Sequence, residues 1–322
     1  MTWTLPEPML TTPGPTPGLL PGWAGEPKWD GLRALLHTDA GRVVLRSRRG
    51  TEMVPAFPDI AAAAAQLPDT TALDGELVEW EDDPLAFERL QDRLQRRGAA
   101  AARAAAEWPA HFVAFDLLRL SGMDTTPWPY RRRRAELASM FTAQRLTAPW
   151  TLSPSTTNPG TIREWLTWTT VGVEGVVLKR LDDPYRPAGR GWRKYKVRET
   201  TEAIVGAIAG APSAPRTLLL GRYDDHERLQ YIGRTTTLPR TAGVALAGLL
   251  TAVRAGHPWT GWSFSAGWGE TLDVTLVDPD LVVEVGADVA RDPAGRWRHP
   301  AGWHRPRTDL TPAEVPHAAP LA

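Results

Sequence analysis

The sequence has 322 residues, 37 basic and 37 acidic side chains, and no cysteine. The length allows two domains with substantial cores, and the zero net charge argues against a protein that binds nucleic acid by bulk attraction alone, although a local basic groove remains possible. The absence of cysteine excludes disulfides, thiol catalysis and cysteine-zinc sites, and it predicts a cytoplasmic protein.

The chain begins with a Pro/Gly/Thr-rich stretch, residues 1 to about 22, that predicts an extended arm and does not resemble a signal peptide. No apolar run in the sequence is long enough to span a bilayer, so we predict no membrane association.

The first 200 residues predict more strand than helix, with no regular strand–helix alternation. Apolar alternation and turn signals indicate a hairpin over 34–48 and strands over 71–80, 111–120, 174–181 and 192–199. Helical periodicity covers 84–107, with a break near Gly98, a segment that begins at about Pro129, and 159–171.

The composition changes after residue 200, where short strands and turns surround one helical stretch within 238–253. About five strands and one helix in 120 residues predict a small barrel of the OB type. The fold class is therefore α+β, with a domain of antiparallel sheets and helices over residues 1–200 and an OB-fold domain over 201–322.

The basic residues divide into 33 arginines and four lysines, Lys28, Lys179, Lys194 and Lys196. Codon bias from a GC-rich genome explains most of the arginine excess. The lysines are still informative, since arginine cannot lose its proton to become a nucleophile.

Lys28 lies in "EPKWDGLR", residues 26–33. The tetrapeptide K-x-D-G is common by chance, and on its own it predicts a solvated turn. Its significance depends on companions further along the chain: "RSRRG", "LDGELV", "FVAFDLL", "EGVVLKR", "WRKYK" and "RHPAGWHRPRTDL". Each of these also has a purely structural interpretation, but the ordered set is very unusual.

With these motifs the sequence resembles the ATP-dependent DNA ligases of the covalent nucleotidyltransferase superfamily. It is most similar to small stand-alone bacterial ligases related to the ligase module of end-joining proteins. The matching motifs run in family order from residue 26 to about 310. The resemblance implies that residues 1–200 form the nucleotidyltransferase, or adenylation, domain.

The resemblance also implies a reaction in which Lys28 attacks the α-phosphate of ATP, and AMP then passes to DNA. An ordinary lysine is protonated at neutral pH, so we expect nearby cations, a bound metal and partial burial to lower the pKa of Lys28. Arg33, Lys194 and Lys196 are the expected local cations, and Mg²⁺ or Mn²⁺ is the expected metal.

Site residues follow position by position from the resemblance. The catalytic set is Lys28, Asp30 and Lys196, with Lys196 on the α-phosphate. The metal set is Glu174, Glu76 and Asp30. The ATP-binding set comprises Glu26 and Lys194 at adenine, Phe115 stacked on the ring, Arg48 and Glu76 near the ribose and phosphate, and Arg33, Lys179, Arg305 and Arg307.

The last motif contains Arg298, Arg305, Arg307 and Asp309. Arg305 and Arg307 alternate, so they share a strand face, and the resemblance assigns them to the pyrophosphate leaving group. A basic tail that touches DNA is the alternative. The separate run "RRRR", residues 131–134, points around a whole helix, so at most two of its members can contact one DNA backbone.

The predicted function is the sealing of 5′-phosphate/3′-OH nicks in duplex DNA, in DNA repair. An RNA ligase or capping enzyme with the same lysyl-nucleotide chemistry is the alternative. A non-catalytic OB protein is disfavoured because the main catalytic positions are filled. An NAD-dependent ligase is disfavoured by the missing cysteine zinc site and by the 27 residues before Lys28. The expected partners are nicked DNA and end-joining proteins, and the expected state is a nucleoid-associated monomer.

Overall fold

A computed structural model describes residues 3–14, 16–80, 87–168, 173–253, 256–267, 270–292 and 294–318. The chain divides into two compact units, Met1–Lys196 and Val197–Ala322. The division falls after residue 196, close to the boundary predicted at residue 200.

The first unit contains ten strands and five α-helices in its described part. In chain order they are β1 Thr11–Pro13, β2 Trp23–Trp29, β3 Leu32–Asp39, β4 Arg42–Ser47, α1 Pro58–Ala63, β5 Ala72–Val78, α2 Phe87–Arg93, α3 Gly98–Glu107, β6 His111–Leu120, β7 Met123–Asp124, α4 Tyr130–Ala143, β8 Trp150–Leu152, α5 Pro159–Trp165, β9 Val173–Arg180 and β10 Trp192–Lys196.

These strands form two sheets. The smaller has the order β1-β10-β9-β2, in which β9 is antiparallel to both β2 and β10. The larger has the order β4-β3-β5-β6-β7, and β8 pairs in parallel with β6. The predominance of antiparallel pairing agrees with the prediction from the sequence.

The predicted hairpin over 34–48 is confirmed by β3 and β4. Asp39 pairs with Arg42, so the loop has two residues, Ala40 and Gly41, with φ of 48° and 74°. Positive φ at both central positions is the requirement of the type I′ turn that matches strand twist.

The predicted helices are present but shorter. The segment 84–107 contains α2 and α3 with a break before Gly98, whose φ is 53°. The third predicted helix ends at Trp165, and residues 84–86 and 169–171 lie outside the described residues. Pro129 stands immediately before α4, as predicted.

The main core of the first unit lies against the larger sheet. Strand β6 is an apolar run whose central residues are buried, and Phe112 and Leu117 pack with Leu36 of β3, Phe57 before α1 and Leu137 of α4. Asp116 is the polar residue that interrupts the apolar run of β6. Because β6 is covered on this side, the position of Asp116 is fixed.

The second unit contains eight strands and one α-helix in its described part. They are β11 Arg198–Ala211, β12 Ala214–Tyr223, β13 Leu229–Arg234, α6 Arg240–Ala247, β14 Ser265–Gly267, β15 Glu270–Thr271, β16 Val274–Leu276, β17 Val282–Asp288 and β18 Gly302–Pro306. The main sheet has the order β13-β12-β11-β17-β18, and β16 also pairs with β11. Helix α6 is shorter than the helical stretch predicted within 238–253.

Across the described ranges, no helix has the length and apolar character needed to cross a bilayer.

Candidate active site

The register of the smaller sheet brings two of the four lysines to either side of one glycine. Lys28 of β2 and Lys196 of β10 are both paired with Gly175 of β9. A bulge between Lys28 and Trp29 interrupts the β2–β9 ladder at this point. Such bulges redirect side chains at functional sites.

Glu174, the neighbour of that glycine, connects the two lysines. Its Oε1 accepts a hydrogen bond from Lys28 Nζ, and its Oε2 lies 2.8 Å from Lys196 Nζ. The Glu174 side chain is 6 % exposed, while those of Lys28 and Lys196 are 23 % and 16 % exposed. The two amines are therefore held around one buried carboxylate and remain partly accessible.

Gly175 has no room for a side chain. A Cβ at this position would lie 2.0 Å from the carbonyl oxygen of Tyr195, and the glycine φ is 155°. The missing side chain thus allows β9 to approach β10 closely enough for the Glu174–Lys196 ion pair.

We expect Gly175→Ala to destabilise the first unit by about 3 kcal/mol, the upper end for overpacking, because backbone must move. AMP labelling of the chain should fall in parallel. Urea unfolding and labelling with radioactive ATP measure the two effects. Gly14→Ala is the matched control, since its Cβ would have no neighbour nearer than 3.6 Å. Equal stability of the two variants would contradict the packing argument.

The electrostatics of Lys28 differ from the prediction. Burial disfavours its charged form, but Glu174, Glu76 and Asp30 outweigh burial and raise the pKa of Lys28 above its ordinary value. The prediction of a lowered pKa is therefore wrong for the protein groups alone. The carboxylates responsible come from three separate strands or turns, which the sequence could not place together.

The carboxylates respond in opposite ways. Burial raises the pKa of Glu76 to about 7, although Lys28 and Arg33 act against it. Burial also raises the pKa of Glu174, but Lys28 and Lys196 more than compensate and lower it to about 2. Glu174 is therefore ionised at neutral pH, and its negative charge lies between the two lysines.

Lys194 and Arg48 belong to the same electrostatic neighbourhood. Burial lowers the pKa of Lys194, and Lys28, Lys196 and Arg48 lower it further, against the pull of Glu174. Arg48 is exposed just after β4. Lys28, Lys196 and Arg48 thus lie close enough to Lys194 to act on its charge. Of the cations expected around Lys28, Arg33 pairs instead with Asp74.

A second cluster of charges lies deeper, around Glu26. Its carboxylate is 2.9 Å from Lys179 Nζ and accepts a hydrogen bond from the Tyr130 hydroxyl. Lys179, 1 % exposed, also donates to the carbonyl oxygen of Phe115 at 2.8 Å. Lys179 and Glu26 therefore form a buried ion pair within the first unit.

Asp116 and Arg133 complete this cluster. Arg133 Nε and Nη2 donate to the two oxygens of Asp116 at 2.7 and 3.0 Å, and both side chains are fully buried. The other members of the "RRRR" run are different, since Arg131 pairs with Asp182 and Arg132 lies over the ring of Trp128, both exposed. One arginine of the run is therefore structural.

Arg33 and Phe115 meet at the edge of the same region. Arg33 donates to both oxygens of Asp74 at 2.6 Å, and its guanidinium lies 4.6 Å from the centre of the Phe115 ring. Tyr185 donates to Asp74 at 2.7 Å as well. Phe115 is 9 % exposed, so little of its ring surface is open in this state.

Trp29, adjacent to Lys28, has a structural role that the sequence did not suggest. Its indole Nε1 donates to Ser153 Oγ at 3.2 Å, and its ring packs with Val78, Val113 and Val173. It anchors the end of β2 on the side of the bulge opposite the lysine pairing.

The remaining predicted residues, Arg305 and Arg307, lie in the second unit. Arg305 donates to Glu284 at 2.9 Å, and Arg307 pairs with Asp309 at 2.9 Å and Glu202 at 2.7 Å. Arg307 also lies 3.4 Å from Glu284, so both arginines reach one carboxylate. The predicted strand face contains Arg305 only, because β18 ends at Pro306, one residue before Arg307.

Reasoning from the sequence gave no role in the site to five polar residues whose side chains hold it in place: Asp74, Asp116, Tyr130, Arg133 and Ser153. One signal was present for Asp116, because a carboxylate within an apolar strand needs a buried partner. The partner, Arg133, was hidden in a run of similar residues.

Comparison with known proteins identifies the family. The family model "ATP dependent DNA ligase domain" matches residues 20–197. The chain belongs to the ATP-dependent DNA ligase family. The prediction that it is an ATP-dependent DNA ligase is thereby confirmed.

The ligase is similar to stand-alone and end-joining relatives along nearly its whole length. It is 35 % identical to DNA ligase C2 of Mycolicibacterium smegmatis, covering 90 % of this chain and 87 % of the relative. It is 32 % identical to DNA ligase C of Mycobacterium tuberculosis, covering 91 % and 88 %. The predicted resemblance to this group is confirmed.

Solved structures agree as well. The ligase domain of LigD from M. tuberculosis is 31 % identical, with a TM-score of 0.53 over 97 % of this chain and 98 % of that one. A mycobacterial DNA ligase D complexed with ATP is 30 % identical over the same shares, also with a TM-score of 0.53. The ligase-type fold of sheets with few helices is thus confirmed.

Proposed function

We propose that this ligase seals 5′-phosphate/3′-OH nicks in duplex DNA through a covalent AMP on Lys28. The observation that carries the proposal is the pairing of Lys28 and Lys196 with the two oxygens of Glu174. A nucleophilic amine and a second cation for the phosphate are thereby held on neighbouring sides of one strand.

In the first step the lone pair of Lys28 Nζ attacks the α-phosphorus of ATP. The bond between that phosphorus and the bridging oxygen breaks, and pyrophosphate leaves with the electron pair. Nζ loses a proton, and the product is a phosphoramidate. The Lys196 ammonium stabilises charge on the non-bridging oxygens, which is the main demand of phosphoryl transfer.

The next two steps concern DNA. A 5′-phosphate oxygen of the nick attacks the phosphorus of Lys28-AMP, the bond to Nζ breaks, and Nζ takes up a proton from solvent as it leaves. The 3′-hydroxyl then attacks the activated 5′-phosphate, loses its proton, and AMP leaves as the phosphodiester forms. Lys28 ends as a free amine, so the cycle can repeat.

We assign Glu174, Glu76 and Asp30 to a divalent cation such as Mg²⁺ or Mn²⁺, and binding would require their carboxyl groups to move together around the ion. All three act on Lys28, and the raised pKa of Glu76 reflects negative charge held in a buried place. Carboxylate oxygens are the ligands that Mg²⁺ prefers. A bound cation would supply positive charge that offsets these carboxylates, and so make the neutral amine of Lys28 more accessible.

For ATP we propose the residues named from the sequence. Lys194, with Arg48 near it, would face the nucleotide, and Phe115 would stack on adenine when the Arg33 guanidinium shifts from its ring. Because the Glu26 carboxylate is tied to Lys179 and Tyr130, we assign Glu26 and Lys179 to shaping the adenine pocket from beneath.

For the second unit we propose an OB-fold barrel in which Arg305 and Arg307 serve the pyrophosphate leaving group. Both are now paired with Glu284, Glu202 or Asp309, so this role requires those carboxylates to release them. We further propose a cytoplasmic, nucleoid-associated monomer that works with end-joining proteins in DNA repair.

The decisive experiment is incubation with α-labelled ATP and Mg²⁺, followed by a nicked duplex. Transfer of label first to protein and then to the DNA 5′ end, with sealing, is the expected result. Parallel reactions with GTP and with nicked RNA test the alternative of an RNA ligase or capping enzyme. Preferential sealing of RNA would overturn the proposed substrate.

Lys196→Ala is expected to reduce AMP labelling by roughly 10²- to 10³-fold, the usual effect of removing one transition-state charge donor. Arg193→Ala is the matched control, because Arg193 is exposed on the same strand and lies over Trp23. Labelling rates at saturating ATP separate this effect from ATP affinity. Equal rates for both variants would remove Lys196 from the proposed role.

A further inference from the structure

Two arginines of the second unit share one tryptophan. The guanidinium carbon of Arg222 lies 5.9 Å from the centre of the Trp297 ring, and that of Arg291 lies 5.3 Å from it. Trp297 is 6 % exposed, whereas both arginines are half-buried. The shared ring brings two positive charges near each other, and Arg222 acts on the charge of Arg291.

The site is held rigidly. Arg222 Nε and Nη2 donate to the carbonyl oxygen of Glu202 at 3.1 and 2.9 Å, and Nη2 also donates to the Thr201 hydroxyl. The Trp297 amide donates to the Ile232 carbonyl at 2.8 Å, and its ring packs against Gly233. The Trp297 ring and the Arg222 side chain are therefore already fixed in place before a ligand binds.

Five other arginines of this unit form ion pairs with carboxylates. The ion pairs are Arg198–Asp288, Arg228–Asp224, Arg296–Asp292, Arg305–Glu284 and Arg307–Asp309. Within the described ranges, neither Arg222 nor Arg291 has an ion-pair partner within 4.0 Å. In a chain of zero net charge, this pair is therefore a local concentration of positive charge.

The nearby carboxylates do not balance the positive charge of Arg222 and Arg291. Glu199 and Glu202 are the carboxylates that act on Arg222, and Glu202 is itself paired with Arg307 at 2.7 Å. Burial lowers the pKa of both guanidiniums, and Arg222 lowers that of Arg291 further. An anion placed between them would relieve this repulsion.

We propose that Arg222 and Arg291 bind a backbone phosphodiester of the DNA substrate. The guanidinium fork of Arg291 matches the oxygens of a phosphate in geometry and charge. Arg222, whose Nε and Nη2 donate to Glu202 and Thr201, adds positive charge beside that fork. The inference rests on the proposed action on nicked DNA and adds a defined contact to it. The site reads phosphate only, so it contributes affinity and register and no base specificity.

The test is the salt dependence of nicked-duplex binding by the full chain. Arg291→Gln is the main variant, because the Arg291 side chain makes no described hydrogen bond that its loss would break. The slope of log affinity against log salt should become shallower by about 0.9, as expected for one lost phosphate contact. Arg296→Gln, an exposed neighbour paired with Asp292, is the matched control and should keep the wild-type slope.

Further measurements distinguish a phosphate of DNA from a phosphate of ATP as the ligand of this site. Arg291→Lys should retain the slope, and AMP labelling of Lys28 should be unchanged in every variant. An unchanged salt slope for Arg291→Gln would overturn the site. It would also be overturned if Arg291→Gln needed more ATP for labelling while its DNA binding stayed the same. If the wild-type chain neither labels nor seals, the proposed function has failed instead.

Discussion

Lys28→Ala is expected to abolish covalent AMP labelling, with a loss of at least roughly 10⁴-fold, as removal of a nucleophile produces. Lys179 and Lys196 are not placed to substitute, since Lys179 is 1 % exposed and Lys196 sits on the other oxygen of Glu174. Labelled ATP followed by denaturing electrophoresis measures the effect.

Lys28→Arg separates the nucleophile from the charge. Arginine can still form an ion pair with Glu174, but it cannot be deprotonated to attack phosphorus. We therefore expect Lys28→Arg to be as inactive as Lys28→Ala. If Lys28→Arg retained labelling, or if Lys28→Ala matched the wild type, the AMP acceptor would lie elsewhere.

A nick that already carries AMP on its 5′-phosphate provides the positive control. Its sealing needs only attack by the 3′-hydroxyl, so both Lys28 variants should still seal it. Loss of that activity as well would indicate a damaged fold and not a missing nucleophile.

Arg133→Met should destabilise the first unit by about 3–5 kcal/mol, because it leaves the buried carboxylate of Asp116 without its bidentate partner. Lys179 Nζ, 3.8 Å from Asp116, is already paired with Glu26 and compensates little. Urea unfolding, followed by tryptophan fluorescence, measures the change in free energy of unfolding.

Arg132→Met is the matched control, one residue away and exposed over Trp128. We expect a change of no more than about 0.5 kcal/mol for it, typical of a surface substitution. The double variant Arg133→Met/Asp116→Leu should recover much of the loss, since an apolar pair of similar volume can replace a buried ion pair. Equal effects at positions 132 and 133 would contradict the buried role.

Local signals in the sequence were sufficient for much of the fold. The turn at Ala40 and Gly41, the buried run of β6 and the start of α4 after Pro129 each depend on neighbouring residues, and each is found. Helix ends were less accurate, because the last turns of α5 and α6 depend on packing that periodicity does not contain.

The site was predictable as a set of motifs but not as an electrostatic system. The basic cluster of Lys28, Lys194 and Lys196 followed from the motifs. The raised pKa of Lys28 did not, because Glu76 and Glu174 reach it from strands about 50 and 150 positions away in the chain. Likewise, nothing local distinguishes Arg133 from its neighbours; only the packing of α4 on β6 selects it.

The position of the lysines has a practical consequence for handling the enzyme. All four lie on β2, β9 and β10 of the first unit, and apart from the N-terminal amine they are the only primary amines in the chain. Reagents that couple proteins to beads or dyes through amines would therefore modify, besides the N-terminus, the region that we propose for catalysis. Immobilisation or fluorescent tagging should use an introduced cysteine on the exterior of the second unit, because the natural chain has no thiol to compete with it.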